Sequence, residues 1–464
     1  MADLRDHEDE LRGVLQRLEP LTPFAEILAQ QTHGESVGID SKARRAWTSP
    51  RLAGAVIRAW TGTRWVEVAA SGFDRPSLTG AVDELARSLS GDRPSGSPPG
   101  LASTTVGVSV TTPRRPMREM GLEQELEFAR DLHRWASTVP GIQNVQVDVS
   151  WSDDERYYLN SAGARCFQTA CRVRGSYSAI AVENGRAQMD YDAIGAIGGQ
   201  DVLEQFNEGR SREVAAGAVA LLAAKSPPKG LLNVVLDNGT TATFAHESFG
   251  HGTEADQFVR DRSYLKPILG KVVGPEALTI VDDGSMPGGW GSVPFDDEGH
   301  PGAKTTLVDR GQFVGALHDR ESAAALGARA TGNTRRSNFL SRAFVRMTNT
   351  YVEPRDWTLE ELVEEAGDGV MLEHWNSGME DPLGGQMQLK VLKGHRIEHG
   401  KLSDLVSSMA LSGSVLSFLQ DIRGVGNSQG FVIDSGYCGK GHSDYLPTGS
   451  GGPCLLSRAV VGPA

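Results

Sequence analysis

Apolar residues recur at helical intervals over Leu11–Leu28 and again at Leu78, Val82, Leu85 and Leu89, so helices are predicted at both places. Between them, Leu52–Ala70 reads as two strands joined at Thr61-Gly62-Thr63. The Pro/Gly/Ser-rich stretch Gly91–Gly100 predicts an exposed loop. Alternation of Val106, Val108 and Val110 predicts a strand over Thr105–Thr111. Arg118–Ala136 then places Leu122, Leu126, Ala129, Leu132 and Trp135 on one helical face. Alternation resumes at Val145, Val147, Val149 and Trp151, and β-type sequence continues to Met189.

Asp201–Lys225 reads as one long helix ending before Pro227-Pro228. Beyond it the pattern changes to short strands separated by Gly, Asp-Gly and Pro turns, as at Leu231–Leu236, Ala277–Val281, Thr305–Val308 and Gln312–Leu317. Short helices are predicted at Ala245–Gln257, Arg320–Leu326 and Thr358–Ala366. The fold class is therefore α+β. A mixed α/β domain over residues 1–200 precedes a β-rich domain over residues 201–464, which carries a helix of chemical interest near its start.

Charge and composition narrow the function. Lys and Arg number 46 against 59 Asp and Glu, a net charge of −13, which argues against a general nucleic-acid or anionic-membrane binder. The longest apolar run, Val214–Ala224, is too short to span a bilayer. The first twenty residues are charged and show no apolar signal core, so a cytoplasmic setting with reduced thiols is expected. The four cysteines (Cys166, Cys171, Cys438 and Cys454) form no C-x-x-C pair. Cys166 and Cys171 are five apart in a strand region and should point to opposite faces. Neither a P-loop nor G-x-G-x-x-G after a strand occurs.

The informative segment is AHESFGHGTEADQ, 245–257, with His246-Glu247-x-x-x-His251. Two imidazoles can hold a metal, and the adjacent carboxylate can deprotonate a water. The histidines are five apart. At ~100° per residue they would differ by ~140° around a regular α-helix and point away from each other. Binding one ion requires the helix to widen into a π turn or to break, and Gly250 is placed where the backbone must deviate. Cys438, Cys454, Glu254, Asp256 or a distant histidine could supply a third ligand. The acidic runs Asp282-Asp283-Gly284 and Asp296-Asp297-Glu298-Gly299 lack calcium-loop spacing and read as turns.

Beyond the residue chemistry, the chain resembles the TldD/PmbA family of bacterial and archaeal modulators and metallopeptidases. The resemblance runs through HESFGHGTEAD (246–256), VDDGSMPGGWGSVPFDDEGHP (281–301), TGNTRRSNF (331–339), RMTNTYVEP (346–354) and GYCGK (436–440), and more weakly through YYLNSAGA (157–164). TldD-type subunits carry H-E-x-x-x-H and PmbA-type (TldE) subunits lack it, so the chain is similar to the TldD type. The resemblance implies zinc held by His246, His251 and Cys438, with Glu247 as general base. It gives no ligand role to Cys454. His442 departs from the family pattern and is a candidate contact for substrate or metal.

Two further residues are candidates. Glu254 could orient His251 from the next helical turn, and Arg336 could hold a substrate carboxylate or carbonyl. The implied activity is cleavage of unfolded peptides by a heterodimer with a PmbA/TldE-type homologue, or by a homodimer. No nucleic-acid or membrane partner is expected. The alternative is a peptide-binding or scaffold subunit with a structural metal, and a closed four-ligand site would favour it.

Overall fold

The computed structural model of the chain describes residues 3–89, 96–100, 105–441 and 445–464. Residues 91–95 of the predicted Gly91–Gly100 loop, and His442, lie outside the described residues. The protein is mixed helix and sheet, as the periodicities predict.

The N-terminal half is built on one seven-stranded sheet. Its order is Trp65–Ser71, Arg44–Trp60, Ala25–Ile39, Ile142–Asn160, Arg165–Glu183 and Val106–Val110, with Arg186–Ile197 paired to the far part of Arg165–Glu183. The helices Glu8–Leu18, Arg75–Leu89, Leu122–Ser137 and Glu208–Leu221 pack against this sheet and supply its apolar cores. Strand alternation sets the faces. Ala25, Ile27 and Ala29 face the helices, while Glu26, Leu28 and Gln30 face the other half of the molecule.

Two predicted helices are corrected here. Helical spacing over Leu11–Leu28 holds only to Leu18. Ala25–Ile39 is a strand near the centre of the sheet. Its polar residues hide it from a hydrophobicity pattern because their partners lie on other strands and, for Glu26, partly in the second half. Glu26 is ion-paired with Arg58 at 2.8 Å and with Arg320 at 2.8 Å, and accepts a hydrogen bond from Tyr158 at 2.7 Å. The helix predicted over Asp201–Lys225 is two pieces, Gln200–Leu203 and Glu208–Leu221, because Asn207 leaves helical geometry and its side chain caps the backbone N–H of Arg210. Cys166 and Cys171 do point to opposite faces, each within a separate apolar cluster.

In the C-terminal half, five strands close on themselves. Lys401–Ser414, Gln386–Glu398, Gly369–Glu380, Gly230–Leu236 and Leu455–Pro463 each pair with the next, and the last pairs back with the first. Two of the seams are short, four residues each, at Gly369–Leu372 and at Met409–Ser412. A separate six-stranded sheet runs Gln312–Phe313, Lys304–Asp309, Ile280–Asp283, Asn349–Val352, Leu446–Gly451 and Ile433–Cys438, so Ile433–Cys438 is an edge strand. One apolar cluster joins the barrel to this sheet, with Phe244 and Phe249 among its members. The acidic runs are structural. Asp282 accepts hydrogen bonds from Asn333, from the Thr348 backbone and hydroxyl, and from Thr350. Asp297 and Glu298 pair with Arg156 and Arg58 across the two halves.

Arg320 is 1% exposed and bridges Glu26 of the first half to Glu298 of the second, at 2.8 and 3.7 Å. Removing one member of a buried ion pair strands the others in low dielectric. Arg320→Met is therefore expected to destabilise the protein by about 3 kcal/mol in urea unfolding. A loss below about 1 kcal/mol would contradict this reading of the junction.

Candidate metal centre

The segment carrying both histidines is not a regular helix. An α-helical turn at Asn238–Thr243, capped by the Asp237 side chain on the Thr240 N–H, runs into a π-helical turn at Phe244–Gly250. A tight turn, His251–Thr253, and the helix Ala255–Val259 follow. The continuous helix predicted over Ala245–Gln257 is thus corrected to a widened turn with a break. The widening is what the five-residue spacing demands. Phe244 stacks tilted on Phe418 at 4.6 Å between centroids, and Phe249 meets Phe313 edge-on at 5.5 Å. Those contacts fix the apolar side of the turn and leave the histidines on the other. A Cβ added to Gly250 would lie 2.2 Å from Met347 Sδ, so the turn approaches its neighbour too closely for any larger residue.

His246 and His251 consequently lie side by side, with ring centroids 5.2 Å apart and planes at 81°. Cys438 comes from the last position of the edge strand Ile433–Cys438. Its Sγ is 3.1 Å from His251 Nε2. One ligand atom from each of the three residues lies within 4.8 Å of the other two. Glu247 Oε2 is 3.9 Å from His251 Nε2.

The donor set suits a borderline-soft divalent ion. It offers two imidazoles and a thiol, and a buried His246 nitrogen, Nδ1, has no hydrogen-bond partner among the described residues. Burial alone would raise the thiol of Cys438, but the His246 and His251 imidazoles bring it down to about 4. The site is thus arranged to present a thiolate.

Glu254 is 2% exposed and its Oε2 lies 3.6 Å from His251 Nδ1, the nitrogen away from the thiol. The same oxygen takes Lys440 Nζ at 2.8 Å, and Arg346 Nε stands 3.5 Å from Oε1. Burial pushes the Glu254 carboxyl up, and Lys440, His251 and Arg346 more than reverse it, so it stays ionised. Lys440 also pairs with Asp256 at 2.8 Å, and Arg346 donates to the Cys438 carbonyl at 2.8 Å. The thiol-bearing strand and the histidine-bearing turn are thereby tied through one buried charge network.

Of the sequence candidates, His246, Glu247, His251, Glu254 and Cys438 come together. Arg336 does not join them. It is 1% exposed; its backbone N–H donates to Asp297, its guanidinium donates to the Ser341 carbonyl, and Glu67 lies 3.5 Å away. Cys454 lies elsewhere, with its Sγ 3.4 Å from Asn238 Oδ1. Sequence reasoning gave no role to Lys440 and Arg346, although both stand in segments that carry the resemblance. Their role depends on long-range pairing with Glu254, which no local spacing encodes.

Profiles built from known families match two stretches of the chain. Residues 115–225 match the PmbA/TldA metallopeptidase central domain, and residues 229–461 match the C-terminal domain of the same family. A relative from Methanothermobacter thermautotrophicus named "Metalloprotease" is 31% identical over 98% of both chains. The chain belongs to the PmbA/TldD family. A Saccharolobus solfataricus relative named "Zinc metalloprotease TldD homolog" is 31% identical over 52% of this chain and 53% of its own. The crystal structure of TldE from Thermococcus kodakarensis shares the fold, with a TM-score of 0.74 at 15% identity over 98% of this chain and 100% of that one.

Cys438→Ser is expected to lower zinc affinity by at least about tenfold in a competition titration, and Glu254→Gln by about 10- to 100-fold. Cys454→Ser should leave it unchanged. Loss of zinc in the Cys454 variant with retention in the Cys438 variant would reverse the assignment of the thiol ligand.

Proposed function

We propose that this chain is the metal-bearing subunit of a zinc-dependent metallopeptidase, with zinc held by His246, His251 and Cys438. The observation that carries the reading is the three-donor cluster with Glu247 beside it. Three protein donors, counted among the described residues, leave a coordination position for water, which suits catalysis better than a closed structural site. A scaffold would have no use for Glu247. The names of the relatives support the same reading, one of them specifying zinc.

Zinc, when bound there, supplies Lewis acidity and makes a water a usable nucleophile at neutral pH. Glu247 takes a proton from the attacking water and delivers it to the departing amine. Glu254, held anionic by Lys440 and Arg346, fixes the orientation of His251 through its Nδ1 side.

The substrate class is unfolded peptide, taken in extended form. A cleft of about 870 Å³ opens between the halves, lined by Tyr191, Trp290, Trp375, Val432, Asp434 and Tyr437. Asp434 sits close enough to His246 for their charges to interact, and it stands on the strand that ends in Cys438. Apart from the Ser435, Gly436 and Cys438 carbonyls, which Arg174, Trp290 and Arg346 occupy, the edge of that strand offers main-chain hydrogen bonds to an extended chain with little sequence preference. A PmbA/TldE-type homologue, or a second copy of this chain, is the expected partner. The described residues contain no helix long and apolar enough to cross a membrane.

Glu247→Ala is expected to retain zinc and to cleave an unfolded casein at a rate lower by about a hundredfold or more. Undiminished cleavage by that variant, with or without a co-expressed partner, would overturn the mechanism.

A further inference from the structure

Among the described residues, carboxyl groups outnumber cationic side chains around the metal centre. Glu254 is matched by Lys440 and Arg346, and Asp256 by Lys440. Glu247 stands 3.9 Å from the His251 imidazole. A fourth carboxyl, Glu380, has no hydrogen-bond partner among the described residues. Both of its oxygens are shut off from solvent, and neither accepts a hydrogen bond from any described residue.

Glu380 is the last residue of the strand Gly369–Glu380. The strand slips register between Trp375 and Ser377 and then runs regularly to its end. Gly378 and Glu380 therefore share one face, and Met379 between them points away with 62% exposure. That shared face looks onto the metal-binding turn. A Cβ added to Gly378 would lie 2.8 Å from Glu247 Cγ and 3.0 Å from Thr243 Cγ2. Here a glycine makes room for the general base, and the next residue on the same face is a carboxyl aimed toward it.

A buried carboxyl without a donor is costly in a folded protein. Burial pushes this one up to about 8, opposed by His251 and reinforced by Glu254 and Glu247. No described residue supplies the donor it lacks, and a ligand entering the centre can supply it. Beside other carboxylates, the complementary ligand group is a cation that also donates hydrogen bonds, and peptides carry such a group as a primary ammonium.

We propose that Glu380 is a substrate-binding residue of the metal centre that pairs with a primary ammonium of the peptide, either its free N-terminus or a lysine side chain. The inference rests on the peptidase reading, and it names the feature of the substrate that the site selects.

The test is binding rather than turnover. Zinc-loaded Glu247→Gln protein is titrated with three peptides of one Ala/Ser-rich sequence, each labelled at its C-terminus. One has a free N-terminus, one is N-acetylated, and one is N-acetylated with a single internal lysine. At least one ammonium-bearing peptide is expected to bind about tenfold or more tightly than the acetylated lysine-free peptide, as a charged hydrogen bond implies. Which one does so identifies the source of the ammonium. Adding Glu380→Gln should abolish that preference while zinc content and the affinity of the acetylated lysine-free peptide stay unchanged.

Equal binding of all three peptides, no binding of any, or a preference that survives Glu380→Gln would overturn the proposal. Loss of zinc on Glu380→Gln alone would overturn it too, by making Glu380 a metal ligand. An ammonium preference in a protein whose unmutated form cleaves none of the peptides would instead count against the peptidase reading. Cleavage by the unmutated protein without any ammonium preference would leave that reading standing and remove this one.

Discussion

A regular α-helix carries residues five apart to nearly opposite sides of its axis, and His246 and His251 are five apart. Everything at the centre depends on how the chain resolves that conflict. It does so with a π-helical turn at Phe244–Gly250. Such turns have poor internal hydrogen bonding and need support from packing. Phe244 and Phe249 provide it from within the cluster that joins the barrel to the six-stranded sheet. Gly250 provides it by closing on Met347. Only with the turn widened do both imidazoles face the strand end where Cys438 arrives.

Assembly of the site is then an electrostatic problem. The thiol and the histidines are far apart in the chain and come together on two separate elements. Glu254 is the hinge of the arrangement, because it meets His251 on one side and Lys440 and Arg346 on the other. Arg346 in turn holds the backbone of Cys438 itself. A buried network of this kind fixes one geometry when every member is paired. Where members are left unpaired, as at Glu247 and Glu380, the structure points to groups that arrive with water or substrate. Junctions elsewhere follow the same logic. Arg58, Arg156 and Arg320 satisfy carboxylates of both halves, and so join the two halves.

Much of the local structure was legible in the sequence. The turn at Thr61-Gly62-Thr63, the helices ending at Leu89 and Ser137 and the valine alternation at 106–110 depend on near-neighbour chemistry, and all are present. The strain at His246–His251 was also legible, since it follows from helical geometry alone. Ala25–Ile39 was not. Its buried polar residues find partners more than a hundred residues away, as Gln30 does in Asp154 at 2.9 Å. Asn207 was missed as a helix start although the polar run 207–213 interrupts the apolar pattern there. Lys440, Arg346 and Glu380 were missed for another reason. A charged residue is read as surface until the fold shows what it is buried against, or that nothing is there to meet it.

The central claim is that the widened turn and the strand end present two nitrogens and one sulfur to a single ion. X-ray absorption at the zinc edge of the zinc-loaded protein tests it most directly. The expected nearest shell has two nitrogens at about 2.0 Å, one sulfur at about 2.3 Å and one further light atom from water. A shell without sulfur, or with four protein-derived scatterers, would contradict the account.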